Sequence, residues 1–137
     1  MKKNVQISTA LALLISSQAF AATDFISCPT FETIRANDHF SSLWVEDPVH
    51  NRWMLRSDIY KHNLAKWATY IAVPLPGVND PADVTQKGTA YFREKVVLST
   101  PTRVTDSTST CCYYTSPEQE YAVFSITPPY ASYRRQS

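Results

Sequence analysis

Apolar and polar residues alternate along most of this chain, and the alternation breaks where proline, glycine or short polar clusters intervene. The segments "HFSSLWV" (39–45) and "RWMLRS" (52–57) have the period of two that a half-buried strand requires. Glu46-Asp47-Pro48 reads as the turn between them, because Pro48 cannot donate to a ladder. "KWATYIAVPL" has strand composition from Trp67 to Val73, and "TAYFREKVVLST" (89–100) reads as a further strand limited by Pro101. After a polar turn at "RVTDSTST", the segments "CCYYTS" and "EYAVFSITP" form a hairpin around Ser116-Pro117-Glu118-Gln119.

A helical period appears clearly once. "SCPTFETIRAND" (27–38) places Pro29 and Glu32 where a first turn welcomes them and spaces Phe31, Ile34 and Arg35 at helical intervals, ending near Asn37-Asp38. "DIYKHNLAKW" fits either a helix capped by Ser57 or a loop, and "PLPGVNDPADVTQKG" (74–88) reads as a surface loop. One short helix followed by strands, without β-α alternation, predicts an α+β fold. Its short N-terminal helix is tethered to a mostly antiparallel sheet of about five strands. The tail from about residue 128 bears prolines and is expected to be only partly ordered.

The first 21 residues change the meaning of the composition. "MKKNVQISTALALLISSQAFA" runs from Lys2-Lys3 through an apolar stretch to Ala19-Phe20-Ala21, the order of a cleavable export signal, and its apolar part is shorter than the roughly 20 residues of a spanning helix. Cleavage after Ala21 is preferred to lipidation of Cys28, because Asp24 interrupts the approach to "FISC". The expected organisation is a signal peptide at 1–21 and one exported domain at 22–137, 116 residues of the 137, enough for a single core. Loss of Lys2 and Lys3 leaves 11 basic against 12 acidic residues, a net charge of about −1, with no basic stripe to neutralise phosphates. Nucleic acid is therefore not an expected partner, and no membrane insertion is expected after processing because no other apolar segment is long enough to cross a bilayer.

Candidate chemistry is sparse. His39, His50 and His62 match no local metal-ligand spacing, and Gly77 and Gly88 alone cannot make a phosphate-cradling loop. No G-x-S-x-G is present to seat a nucleophile beside Asp38-His39. The expectation is no metal, no cofactor and no catalytic residue. Aromatic residues are abundant, with 3 Trp, 8 Tyr and 6 Phe, and five tyrosines fall between Tyr113 and Tyr133. Alternation sends some of them inward; Tyr113 and Tyr121 on the terminal hairpin are candidates for a protein-binding face.

Three cysteines complete the picture: Cys28 at the helix start and the adjacent pair Cys111-Cys112. An export signal and the lack of C-x-x-C spacing favour a disulfide over a zinc site. Strand neighbours face opposite sides, so one of the pair should meet Cys28 and the other should face away, free to contact a partner or a second copy. Alternation alone leaves open which one pairs.

The frame of a signal peptide, Cys28-Pro29 near the mature start, a short helix, Trp53 on a strand and Cys112-Tyr113-Tyr114 near the end resembles small periplasmic proteins of the EirA type. These are associated with type IV secretion in intracellular gamma-proteobacterial pathogens. The frame is also similar to related uncharacterised exported families with the same Cys-Pro and Cys-x-Tyr elements. Cys112 and Tyr114 fit the Cys-x-Tyr element, and Cys111 is additional to a two-cysteine pattern. The resemblance implies a Cys28–Cys112 disulfide, which leaves Cys111 on the side of Tyr113. It also implies a non-enzymatic periplasmic protein with a partner in the cell envelope, such as secretion-system components, that supports secretion and intracellular growth. A homodimer through the Cys111 face is the simplest self-association. The competing expectation is a small exported enzyme or enzyme inhibitor that works through the proline-rich loop 74–81.

Overall fold

The computed structural model describes residues 26–114 and 120–129. The signal segment, the turn at 116–119 and the tail from 130 onward lie outside the described residues. Among the described residues the fold is α+β, with two helices and a seven-stranded antiparallel sheet, two strands more than the pattern suggests. The strands are β1 (Phe40–Asp47), β2 (Arg52–Ser57), β3 (Tyr60–His62), β4 (Ala65–Pro74), β5 (Thr102–Thr105), β6 (Thr110–Tyr114) and β7 (Ala122–Thr127). The order across the sheet is β1-β2-β4-β7-β6-β5, and β3 pairs with the start of β4.

The first helix, α1 (Phe31–Ala36), starts where Thr30 caps it: the Thr30 hydroxyl accepts the Thr33 N–H at 3.2 Å. Pro29 therefore precedes the cap rather than opening the first turn. Asn37 closes the helix, its side-chain amide donating to the Thr33 carbonyl at 2.8 Å, and Ile34 is fully buried. Between β3 and β4 the chain turns through Asn63 (φ 48°) and Leu64 (φ 67°), two left-handed residues that reverse it as a tight hairpin. The segment left open between helix and loop is thus a hairpin. Ser57, the supposed cap, instead accepts the Thr69 N–H at 2.9 Å.

The main correction concerns 74–95. Only its first part is loop. Helix α2 spans Pro81–Lys95, replacing both the predicted end of the loop and most of the strand predicted at 89–100. Residues 96–100 are not strand, and β5 begins only at Thr102 and runs into the segment predicted as a polar turn. The start signals are present: the Asp80 carboxylate accepts the Ala82 N–H, Pro81 opens the first turn, and Asp83 follows near the positive end of the helix dipole. Val84, Gly88 and Phe92, four residues apart, form the buried stripe. Gly88 is where α2 meets the sheet, since a β-carbon there would lie 2.6 Å from Leu55 Cδ2.

Both helices pack on one face of the sheet. Leu55, Trp67, Ile71, Val73, Cys112 and Val123 lie there with Ile34, Val84 and Phe92 as the main core. Burial of each large aliphatic side chain stabilises the fold by about 1.5–3 kcal/mol. The core also holds polar groups in mutual contact. The Tyr60 hydroxyl shares a hydrogen bond with Thr69 Oγ1 at 2.7 Å, and Thr69 Oγ1 another with Ser125 Oγ at 2.8 Å. The opposite face carries a second apolar cluster, in which Met54, Tyr70, Phe124 and Ile126 sit over the small residues Ala68 and Ala72.

Candidate functional site

Cys111 and Cys112 divide between these two faces. Cys112 pairs with Arg103 on β5 and Ser125 on β7, all toward the helices, and forms a disulfide with Cys28 (Cα–Cα 5.9 Å). The segment before α1 is fixed at two further points, one on β6 and one on β5. The Tyr114 hydroxyl donates to the Pro29 carbonyl, and Arg103 Nη1 donates to the Ile26 carbonyl at 2.9 Å. Burial raises the Tyr114 pKa, which keeps this donor protonated.

Cys111 is a free, half-buried thiol on the second face. Burial raises its pKa, with a hydrogen bond from Tyr113 opposing, so at neutral pH it is a protonated thiol and a weak nucleophile. Tyr113 lies on the same face, 48% exposed, its ring 6.0 Å from that of Phe124. Phe124 in turn stacks on Tyr70, with centroids 4.9 Å apart and planes within 5°. The cross-strand row Tyr70–Phe124–Tyr113 therefore makes a continuous aromatic band, with Cys111 beside it. Tyr121 does not join this group. Its ring packs edge-on to Tyr91 of α2, and its hydroxyl bridges the Val97 backbone, donating to the carbonyl (2.9 Å) and accepting from the N–H (3.1 Å). It fixes the chain leaving α2.

A polar cleft that sequence reasoning did not find lies where the β1–β2 turn, the end of β4 and the last turn of α2 converge. It encloses about 620 Å³ between Pro74, Pro76, Tyr91, His50 and Arg52. His50 Nδ1 and Asp47 Oδ2 are 2.7 Å apart, and that contact holds the Asp47 carboxyl below its ordinary range. Arg52 Nε pairs with Glu46 at 3.1 Å, and Lys95 Nζ sits over the Tyr91 ring at 5.3 Å. A histidine oriented by a carboxylate is the arrangement of a general base. Among the described residues no serine, threonine or cysteine lines this cleft; the side chains beside His50 are Asp47, Arg52, Tyr91, Lys95 and Glu120. Asp47 and His50 are three residues apart on a turn, a local signal, but their meeting with Tyr91 and Lys95 depends on α2, where the sequence pattern predicts loop and strand.

A second groove of about 500 Å³ is lined by His39, Phe40 and α2 residues, among them Arg93, which is ion-paired with Asp38 (Nε–Oδ2 2.6 Å). His39, His50 and His62 do not converge: among the described residues no three His, Cys, Asp or Glu side chains are grouped to hold a metal ion. Nor, among those residues, is any helix long and apolar enough to cross a membrane. No family model, curated protein or solved structure matches this chain.

Proposed function

We propose that this chain is an exported, non-enzymatic interaction protein of the periplasm that binds a cell-envelope protein through the aromatic second face of its sheet. The observation that carries the reading is the band Tyr70–Phe124–Tyr113 with Cys111 at its side, on the face opposite both helices. Aromatic side chains on a rigid sheet supply contact area at little conformational cost, and tyrosine is enriched in protein interfaces. The disulfide supports an oxidising compartment. The Cys-Pro and Cys-x-Tyr frame supports a partner among secretion-system components and a role in secretion and intracellular growth. Affinity purification from the periplasm tests this. Envelope or secretion-system proteins should co-elute with the parent chain and be lost with Tyr113→Ala. Equal recovery with that variant removes the face from the reading.

A second reading has its own observation. Pro74 and Pro76, from the proline-rich 74–81 stretch, border the cleft that holds the Asp47–His50 pair. This favours a small exported enzyme or enzyme inhibitor acting at that edge. Co-elution of a host or bacterial enzyme, lost with His50→Ala and unaffected by Tyr113→Ala, supports this second reading over the first.

A further inference from the structure

The strands at the two ends of the sheet path, β1 and β5, are finished differently. β1 is interrupted by two register shifts against β2, and its Ser42 N–H is taken by Thr85 Oγ1 of α2 at 3.1 Å. Both devices discourage a further strand from pairing there. β5 has neither. Its four residues run in unbroken register with β6, and all four are exposed. Its one charge, Arg103, lies over the helix side, where it donates to the Ile26 carbonyl. We propose that β5 is the edge at which a second copy of this chain adds, antiparallel, across a two-fold axis at Val104.

The backbone carries the argument. Antiparallel partners alternate between pairs that exchange hydrogen bonds and pairs that do not. The Asp106 N–H donates to the Ser109 carbonyl at 2.9 Å, so Val104 with Cys111 and Thr102 with Tyr113 are the bonded pairs of β5 and β6. The N–H and C=O groups of Arg103 and Thr105 therefore point out of the sheet, and among the described residues no hydrogen bond ends on them. A two-fold axis at Val104 sets Arg103 of each copy opposite Thr105 of the other. Those two pairs exchange four bonds, which satisfies every outward group of both strands. The two valines meet at the axis as a non-bonded pair, with Cα atoms about 4.5 Å apart.

The side chains favour a copy of β5 as the occupant and select this register. An axis at Arg103 would set two guanidinium groups opposite each other, which is destabilising. An axis at Thr105 would carry Arg103 beyond the strand, opposite Ser107 in the turn. With the axis at Val104, the exposed apolar residues of this edge are covered by their own counterparts. Val104 is 54% exposed and Tyr113 48%, on adjoining strands of the second face. The axis stands perpendicular to the sheet, so both aromatic bands come to the same side of one continuous sheet. On the partner reading above, the dimer then offers two binding faces side by side.

The junction is small, so the dimer belongs to the weak class, with a dissociation constant on the order of 100 µM. Sedimentation of the mature chain over a concentration series is expected to show a monomer–dimer equilibrium, weakened at least about tenfold by Thr105→Pro. Proline at 105 removes an outward N–H and none that β6 uses, a position that an edge strand tolerates. A parent that stays monomeric up to about 1 mM overturns the proposal. So does a dimer that Thr105→Pro leaves untouched, which would move the contact to another surface, the Cys111 face included. Should Thr105→Pro not fold, single cysteines introduced into the Cys111→Ser chain decide the question. Val104→Cys is expected to oxidise to a covalent dimer at least about tenfold faster than Thr102→Cys, since only the axis pair lies within disulfide reach and the two copies of residue 102 stand about 14 Å apart along the strands. Equal rates overturn the proposal. No partner is present in these assays, so their failure leaves the partner reading to be decided by purification.

Discussion

Cys111 and Cys112 are adjacent on β6 and serve opposite faces of the sheet: Cys112 is fully buried beneath the helices in its bond to Cys28, and Cys111 stands half-buried beside Tyr113. Their removal should therefore have unequal consequences. The Cys28–Cys112 bond closes a sequence separation of 84 residues, worth about 4.5 kcal/mol in the chain-entropy account. Cys112→Ser should lower unfolding free energy by most of that amount in urea titrations, while Cys111→Ser should stay within about 1 kcal/mol of the parent. The reverse ranking would exchange the roles of the two faces.

Gly88 sets how closely α2 approaches the sheet. Alanine at 88 gains about 1 kcal/mol of helix propensity, but its β-carbon would sit 2.6 Å from Leu55 Cδ2 and 3.0 Å from Cδ1 in a fully packed core. Gly88→Ala should be destabilising by about 1–3 kcal/mol, the cost of overpacking. Leu55→Ala alone should cost about 2–5 kcal/mol. The double variant should cost less than the sum, because the small side chain at 55 makes room for the new methyl. Strict additivity in the cycle would show that α2 shifts instead.

These two contacts also mark where the sequence was readable. The strand pattern at β2 and β4 came through because Trp53 and Leu55, and Trp67, Ile71 and Val73, form helix-side rows at period two; β6 and β7 came through because Cys112 and Tyr114 alternate with Cys111 and Tyr113, and Val123 with Phe124 and Ile126. The disulfide followed from alternation joined to the Cys-x-Tyr resemblance. The region 74–95 hides its helix because prolines and Gly88 look like loop punctuation, although Asp80-Pro81 is also a helix start and Gly88 is required for close packing. The β3–β4 hairpin was hidden because Leu64 takes a left-handed conformation in which glycine is the usual signal. Strand β5 is exposed throughout, so no buried row betrays it. The aromatic face was half legible: alternation put Cys111 and Tyr113 together, but Tyr70 joins them only through the register of β4 with β7, and Tyr121 departs because it lies just before the strand.

The Asp38–Arg93 pair gives an acid-dependent contribution. Arg93 donates to both Asp38 oxygens, at 2.6 and 3.1 Å, and this contact holds the Asp38 carboxyl below its ordinary value of 3.8. A carboxyl depressed in the folded state adds stability that is complete above the unfolded pKa and lost as pH falls through the folded one. The stability gap between the parent and Asp38→Asn should be constant at neutral pH and shrink below about pH 4. Urea midpoints measured for both proteins from neutral pH to acid check this. A gap that persists at the acid end would mean the loss in the variant is packing rather than charge.

The alkaline side is set by buried phenols. Burial raises the pKa of Tyr60 above 10.0, with hydrogen bonds to Ser125 and Thr69 opposing, and raises that of Tyr114 in the same direction. In the unfolded chain both ionise near 10, so the unfolded state loses protons first and gains stability relative to the fold as pH rises beyond that point. The contribution is therefore present below pH 10 and declines above it. Tyr60→Phe should flatten the alkaline limb of the stability profile, and at neutral pH it should cost only about 1 kcal/mol, since Thr69 and Ser125 keep their mutual bond at 2.8 Å. Thr69→Val is the more damaging change. It preserves shape and strand preference but removes the oxygen that both Tyr60 and Ser125 contact, leaving two buried hydroxyls short of a partner at about 1–3 kcal/mol each. Tyr60 and Ser125 retain a 3.4 Å contact with each other, so the combined cost should fall below twice the single one. Denaturant titrations at pH 7 and pH 11 on the two variants separate these effects. An unchanged alkaline limb in Tyr60→Phe would place the titrating groups at Tyr114 and Tyr91, whose pKa values burial also raises.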